Sequence, residues 1–313
     1  MGFTVSDLTN YVNEQSKDLI TALHFEGATA DIAMAHPGIK SSEAIQLLAS
    51  SPVPQSASAC SFNASGDTTF SQAILSVSPI KWEDLLCLKT LESKWTQLLL
   101  KAGTKYTESD IPKMIMDDII AVINEQLETA DWQGDTASGS AYLNRYDGLR
   151  KIIAAASGTQ TATASAWSLA NARTIMKSII SKIPAALKGN PKVKIVCGYD
   201  VAETYRQALM DANLYHVPVN SKDQQGIMVE GSVHELLPLH GLDGLSTSTG
   251  VANPFIFALI PDRHLHFGFD LLNEEEKAQM GMDQYQKNVW YSLEIKRGWQ
   301  IIYPSEIVEY ANS

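Results

Sequence analysis

The sequence has few cysteines and no apolar run that could cross a membrane. Cys60, Cys87 and Cys197 are odd in number, lie far apart and form no CxxC pair. This pattern predicts neither a zinc knuckle nor a disulfide framework, and it favours free buried thiols in a reducing compartment. Apolar residues occur only in short runs, so no transmembrane helix is predicted. The first residues have no early cluster of Lys or Arg and no apolar segment of signal-peptide length, so we expect synthesis in the cytoplasm.

Sequence motifs of phosphate-binding and hydrolytic enzymes are absent, and positive charge is scarce. The sequence contains no GxxxxGK[ST], GxGxxG or GxSxG pattern. A net charge of -11 argues against binding nucleic acid through the overall surface field, which needs clustered Lys and Arg. An acidic wall could still enclose DNA without gripping it, because it would repel phosphates.

One cysteine occupies a position that could support nucleophilic catalysis. Cys197 and Gly198 are predicted to end a strand just before a helix, whose N-terminus would stabilise a thiolate. A cysteine hydrolase would also need a general-base histidine and an orienting acid, and neither lies nearby in the sequence. We therefore favour a buried structural thiol.

Two histidines could contribute to a metal site. His264 and His266 are predicted to lie on one face of a strand, with Asp262 and Asp270 nearby in sequence. Two imidazoles and a carboxylate could bind zinc or iron, but no third ligand is fixed by the spacing. A polar strand face that hydrogen-bonds to its surroundings is the favoured interpretation.

The remaining charged clusters are interpreted as solvated surface. Asp117 and Asp118 are neighbours on a predicted helix and point about 100° apart, so they do not converge on one ligand. Lys188, Lys192 and Lys194 form the densest basic cluster, which is small. The sequence thus predicts no enzyme, no cofactor, and no catalytic, cofactor-binding or metal-binding residue.

The order of apolar patterns predicts an α+β protein. Residues 1–50 look helical but discontinuous, with a second short apolar set at Ala44, Ile45, Leu47 and Leu48. A Ser-, Ala- and Pro-rich loop at 51–66 precedes a strand-rich stretch from Thr68 to Lys81, interpreted as a long two-stranded excursion. The strongest helix starts at Asp110, with Pro112 in its first turn, and ends near Gly134. The patterns that follow predict a helix at 167–183, a strand at 193–197, a helix at 201–212, and strands at 232–239, 255–260, 265–269 and 288–303.

Several of these segments resemble Hong Kong 97-type capsid proteins of tailed bacteriophages. Gly66 to Gln72 looks like the tip region of the family's extended loop, the E-loop. The helix from Ile120 to Asp135, followed by Tyr146-Asp147-Gly148-Leu149, is similar to the family's spine helix with its "GD" and "(D/E)GL" motifs. Lys192–Gly198 with the helix at 200–212 resembles the axial (A) domain, and Val289–Ile302 with Pro304 to Val308 resembles the last strand of the peripheral (P) domain.

The resemblance implies a Hong Kong 97-type fold with five parts. They are an N-terminal arm (1–55), an E-loop (56–82), a P domain (83–150) with a spine helix at about 110–133, an A domain (151–285) and a return strand of the P domain (286–313). The implied function is that of a major capsid protein, which self-assembles through pentamers and hexamers into the icosahedral shell of the virion. Implied partners are scaffolding, portal and cement proteins, with double-stranded DNA enclosed but not bound sequence-specifically.

The arm and the E-loop are too small to bury their apolar residues alone, so we expect them to lie across neighbouring subunits. The loop's base is predicted to be anchored to the P domain by an apolar set, namely Trp82, Leu85, Leu86, Leu88, Leu91 and Trp95.

The sequence departs from the family pattern in two ways, and each limits which family properties are expected of this chain. Gln72 stands where cross-linking members have an E-loop lysine, so an isopeptide cross-link at that site is not expected. Only about 55 residues precede the E-loop, which implies a separate scaffolding protein or none.

Two other functions stay open: an encapsulin-type nanocompartment shell with the same fold, and a cytosolic α/β cysteine hydrolase using Cys197.

Overall fold

The structure is a computed structural model, which describes residues 27–56, 65–87, 110–162, 166–213, 227–244, 254–270, 277–283 and 288–310. It is a mixed α+β structure with two sheets and a separate two-stranded hairpin. None of the helices in these ranges is long and apolar enough to cross a membrane.

The helices are α1 (Ala28–Ile32), α2 (Asp110–Gln133), α3 (Leu149–Ala155), α4 (Ala172–Lys182), α5 (Tyr199–Asp211) and α6 (Pro261–His264). The strands are β1 (Met34–Pro37), β2 (Ser42–Pro52), β3 (Gly66–Ser76), β4 (Ser78–Cys87), β5 (Gln160–Thr161), β6 (Lys194–Cys197), β7 (Ile227–Met228), β8 (Glu235–Pro238), β9 (Ile256–Leu259), β10 (Leu265–Phe269), β11 (Lys277–Asp283), β12 (Asn288–Ile301) and β13 (Val308–Tyr310).

The long helix α2 lies on a sheet of five strands built around β12. The strand order is β1-β10-β12-β11, and β4 pairs with the other edge of β12. Only the β1–β10 pair is parallel; the pairs that β12 makes are antiparallel. Alternate residues of β10 and β12 face the helix, and they pack against α2 positions spaced three or four residues apart. This contact forms the larger core, which includes Met116, Ile120, Ile123, Leu127, Leu265, Phe267, Leu293 and Ile295.

Close backbone packing at the end of α2 explains why two motifs occur together. Gly134 donates its N–H to the carbonyl of Ala130 (2.8 Å), which ends the helix, and accepts from the N–H of Gly148 (2.9 Å). A Cβ on Gly134 would lie 2.6 Å from the carbonyl oxygen of Tyr146, so this approach requires glycine. The adjacent carboxylates of Asp135 and Asp147 both accept from Lys151 at 2.7 Å.

A second sheet of six strands and two helices forms the other core. Its order is β5-β13-β9-β6-β8-β7. Helices α4 and α5 pack on it through buried residues such as Ile175, Ile179, Val201 and Tyr205. Short strands joined through helices give the small α/β layer that the sequence predicts.

Several elements match the sequence predictions, and several differ. Helix α2 spans the predicted 110–133. Ala44 to Leu48 lie in strand β2, not in a helix, because β2 pairs with β3 along its whole length. The partner of β3 is therefore β2, and not a strand within 68–81 as predicted. Helix α4 begins at Ala172, five residues later than the pattern at 167 indicates.

The predicted domain bounds stay a prediction, although some strands pair across them. Strands β10 and β11 pair with β12 beside α2, although they fall in the range assigned to the A domain. Strand β13, assigned to the return strand of the P domain, pairs with β9 in the six-stranded sheet. Predicted features at residues 1–26 and at Leu88, Leu91 and Trp95 lie outside the described residues.

Candidate assembly surface

The β2–β3 hairpin is the most exposed element of the described chain. Its strands pair from Ser42↔Ser76 to Pro52↔Gly66, and no third strand among the described residues joins them. Nearly all side chains along both strands are exposed or half-exposed. A two-stranded ribbon is marginally stable in water by itself, so such a ribbon gains stability by lying on another surface.

The two faces of this hairpin differ in charge. Side chains alternate between faces, and each pair joins two even-numbered or two odd-numbered residues. The even-numbered face has no charged residue, and we call it the uncharged face; the other face includes Glu43 and Asp67. The uncharged face consists of Ser42, Ala44, Gln46, Leu48, Ser50, Pro52, Gly66, Thr68, Phe70, Gln72, Ile74 and Ser76.

Large apolar side chains on the uncharged face are open to solvent. Phe70 is 79% exposed, Ile74 is 58% exposed and Leu48 is 55% exposed. Leu48 and Phe70 are direct cross-strand partners, so they form one continuous apolar patch. Gln72, also on this face, donates its side-chain N–H to Oε1 of Gln46 at 3.1 Å. Exposed apolar residues that cluster in this way are typical of a protein–protein contact.

The base of the hairpin, in contrast, is firmly packed on the five-stranded sheet. Leu75 and Val77 form a small core with Ile39, and Ile45 packs against them. The side-chain N–H of Gln300 donates to the carbonyl of Ile74 at 2.7 Å. The hairpin is therefore held at one end and exposed along the rest of its length.

A buried charge cluster connects α2 to β12 beneath this sheet. Asp131 accepts hydrogen bonds from Nε of Arg297 (2.9 Å), from the hydroxyl of Tyr146 (2.6 Å) and from Nε1 of Trp299 (2.6 Å). Burial alone would lower the pKa of Arg297, but the charge and hydrogen bonds of Asp131 outweigh it and raise the pKa. The guanidinium also lies 4.6 Å from the centre of the Phe267 ring. Asp131 and Arg297 are thus a fully buried, charged pair that joins the two elements.

The same region holds the start of the described chain against α2. Glu128 accepts from the backbone N–H of Thr29 (3.1 Å) and from its hydroxyl (2.5 Å), and Nε1 of Trp132 donates to that hydroxyl oxygen at 2.7 Å. Burial raises the pKa of Glu128, and the nearby charge of Asp131 raises it further. These contacts fix α1 onto the helix that carries Asp131.

Sequence reasoning did not single out this cluster, although one signal was present. Arg297 interrupts an alternating apolar series in β12 that includes Leu293, Ile295, Trp299 and Ile301. A charged residue at a position that should face the core predicts a buried partner, because an unpaired buried charge is costly.

Cys197 lies where the sequence predicts, but its surroundings suit a structural residue. It ends β6 just before α5, and its side chain is fully buried in the core of the six-stranded sheet. Burial raises the pKa of this thiol far above its ordinary value, and the charge of Asp243 adds to the effect. A helix N-terminus is expected to lower a cysteine pKa, but burial has the opposite effect here and disfavours the thiolate that a hydrolase would need.

The two histidines predicted to share a strand face have separate surroundings. His264 belongs to the one-turn helix α6, and only His266 lies in β10. Nδ1 of His264 accepts from the N–H of Ile260 (3.0 Å), and its Nε2 lies 3.0 Å from a Glu306 oxygen. His266 instead pairs with His36, with 2.7 Å between ring nitrogens. The predicted common face of His264 and His266 is therefore wrong, because the chain turns between them.

The carboxylates considered with these histidines lie elsewhere. Asp262 is largely exposed and lies 3.8 Å from Lys192, whereas Asp270 is buried and pairs with Lys296 at 2.9 Å. No group of three or more His, Cys, Asp or Glu in the described ranges is arranged to hold a metal ion.

The other charged groups singled out from the sequence lie at the surface. Asp117 and Asp118 are exposed on α2. Lys188 is exposed, and Lys194 forms an ion pair with Glu235.

A cavity lies beside the base of the hairpin. It is a groove of about 580 Å³ between the hairpin, α3 and the end of β12. Its charged residues include Asp147 and Lys151, which are paired, and the two neighbouring carboxylates raise the pKa of the lysine. A raised pKa keeps this lysine protonated, and a protonated amine is a poor nucleophile.

Comparisons with known proteins identify the fold. No protein-family model matches the sequence, and no curated protein matches it. Among solved structures, the capsid of the native GTA particle matches with a TM-score of 0.60 and 11% identity, covering 90% of this chain and 89% of that chain. The procapsid of satellite phage P4, a structure that includes the size determination (Sid) protein, matches with a TM-score of 0.63 and 9% identity over 95% of this chain and 90% of that chain. The capsid of Myoviridae phage XM1 matches with a TM-score of 0.56 and 12% identity over 90% of both chains. The chain therefore has the fold of phage capsid subunits, in agreement with the Hong Kong 97-type fold predicted from its sequence.

Proposed function

We propose that the chain is the major capsid protein of a tailed bacteriophage, and that it self-assembles into an icosahedral shell around double-stranded DNA. The fold supports this proposal, and so does the likeness to assembled capsids over most of the chain. In this proposal the subunits form pentamers and hexamers through heterologous contacts, in which one surface of a subunit meets a different surface of the next. The protein is made in the host cytoplasm and resides in the virion capsid.

The observation that carries the proposal is the hairpin with its uncharged, apolar face. Burying Phe70 in a neighbour would contribute about 1.5–3 kcal/mol, and each subunit of a closed ring would repeat that gain. The hairpin is fixed at its base, so it can extend from one subunit onto the next without losing its own fold.

We assign the E-loop to 42–76, because β2 and β3 form one ribbon. The P domain is then the five-stranded sheet with α2, and the A domain is the six-stranded sheet with α4 and α5.

The two other candidate functions differ in how the structure bears on them. A cysteine hydrolase is disfavoured because the thiol of Cys197 is buried and its pKa is raised. An encapsulin-type shell would share the fold, and it would package a protein cargo in place of DNA. Scaffolding, portal and cement proteins belong to the proposed phage function; the P4 procapsid, which contains Sid, is an example of a capsid with an accessory protein.

The proposed function predicts that a charge on the uncharged face blocks assembly. Phe70→Asp would place a carboxylate in a contact that excludes water, and we expect soluble subunits and no closed particles. Thr69→Asp is the matched control, since Thr69 directly precedes Phe70, is exposed and points to the opposite face. Electron microscopy and gel filtration of both variants provide the measurement. Wild-type particles from Phe70→Asp would contradict the assignment of this face as a subunit contact.

A further inference from the structure

The hairpin crosses the five-stranded sheet at two glycines that face each other. Gly268 of β10 and Gly298 of β12 are direct cross-strand partners on the face opposite α2. Leu75, which is completely buried, packs above Gly268, and the backbone of Ser76 passes above Gly298. A bare backbone at both positions leaves a shallow depression in the sheet, and the base of the hairpin fills it.

Even one added carbon at either position would meet the hairpin. A Cβ on Gly298 would lie 1.9 Å from the carbonyl oxygen of Ser76 and 3.0 Å from Cα of Val77, which are backbone atoms that cannot rotate away. A Cβ on Gly268 would lie 3.0 Å from Cδ1 of Ile39 and 3.1 Å from the Leu75 side chain, which can shift by a few tenths of an ångström. A side chain at Gly298 would therefore be more disruptive than one at Gly268. The first would collide with the backbone of the hairpin, whereas the second would meet only side chains.

Polar contacts around these glycines fix the hairpin in one direction. The carbonyl of Ile74 in the hairpin accepts from the side chain of Gln300 at 2.7 Å. The carbonyl of Lys40, two residues before the hairpin, accepts from Nζ of Lys296 at 3.3 Å. The N–H of Ile39 donates to the carbonyl of Phe269 at 3.0 Å. Lys296 and Gln300 lie two residues to either side of Gly298 on β12, so a hairpin displaced at the glycines must break some of these bonds.

We propose that Gly268 and Gly298 are positioning residues that set the direction in which the hairpin leaves the body of the subunit. The absence of both side chains lets the backbone of the hairpin reach the sheet closely enough for the surrounding hydrogen bonds to form. The direction of the hairpin decides where its uncharged face meets a neighbour. The glycine pair acts within one subunit, so it can be tested separately from shell formation.

The proposal predicts a graded displacement of the hairpin in Gly268→Ala and Gly298→Ala. Spin labels at Thr69→Cys on the hairpin and Asp118→Cys on α2 report the distance, in a background with Cys60→Ser, Cys87→Ser and Cys197→Ala. Thr69 and Asp118 are both exposed, and Thr69 lies on the face opposite the uncharged face. We expect Gly298→Ala to shift the mean distance by about 5 Å, because a small displacement at the base is amplified along a strand of about 25 Å. Gly268→Ala should give a smaller shift in the same direction.

Gly139→Ala and Gly189→Ala are the matched controls, since a Cβ at either position meets nothing within 4 Å. Both should leave the distance unchanged. A folded Gly298→Ala subunit with the wild-type distance would overturn the proposal. If Gly298→Ala does not fold, Gly268→Ala decides: an unshifted distance in a folded subunit rejects the glycine pair as positioning residues. A shifted distance together with normal particles would support the positioning role and count against the hairpin as the assembly contact.

Discussion

Asp131 and Arg297 form a buried ion pair between α2 and β12. Both are essentially inaccessible to water, and Tyr146 and Trp299 complete the hydrogen bonding of the carboxylate. A buried pair of this kind contributes little compared with an apolar pair of the same shape, but removing one partner leaves an uncompensated charge. The pair therefore makes the relative position of helix and strand specific.

Asp131→Asn should lower the free energy of unfolding by about 3–5 kcal/mol, because the guanidinium of Arg297 would stay buried without its counter-charge. Asp118→Asn, on the same helix but exposed, should change it by no more than about 0.5 kcal/mol. Urea unfolding of dissociated subunits measures both values. Equal stability of the two variants would show that the buried pair does not hold α2 to β12.

Among the elements, α2 could be predicted from sequence and the hairpin could not. Helix α2 has an apolar residue at every third or fourth position, Pro112 near its start and Gly134 at its end, and these signals are local. In β2, Ala44 and Leu48 are four residues apart and fit a helix as well as they fit one strand face. What makes this segment a strand is its pairing with β3, about 25 residues later in the chain, and a local pattern cannot reveal that pairing.

The same limit applies to the candidate site. The sequence correctly placed Cys197 at a strand end and Gln72 on the excursion. It could not show that Phe70 and Leu48 form one exposed patch, or that Gly268 and Gly298 support the hairpin, because each pairing is non-local.

The strand assignment of β2 predicts how an N-terminal truncation affects the protein. Deleting residues 1–50 removes α1, β1 and most of β2, which leaves β3 with an unpaired edge and removes the contact between Thr29 and Glu128. We expect this truncated subunit to aggregate, since an exposed strand edge pairs with other chains. Deleting only residues 1–26 keeps these contacts and should leave a soluble subunit. The soluble fraction after expression and the thermal midpoint measure the difference, and equal values for the two truncations would contradict the account.

At the scale of the whole molecule, the described residues form two large cores and one ribbon that extends from the five-stranded sheet. The cores belong to the five-stranded sheet with α2 and to the six-stranded sheet with α4 and α5. The hairpin adds apolar surface that the described part of the subunit does not cover. Phe70, Leu48 and Ile74 lie open to solvent along this ribbon instead of in either core. This arrangement is typical of a subunit that completes its packing in an assembly.

The most direct test of the account is cryo-electron microscopy of the purified wild-type protein. We predict rings of five or six subunits, or closed shells built from them, in which the uncharged face of each hairpin lies on the adjoining subunit. Contacts at Leu48, Phe70 and Ile74 would be visible in such a reconstruction. A protein that stays a monomer or dimer at high concentration, with its hairpin exposed, would contradict the proposal that this chain forms a capsid.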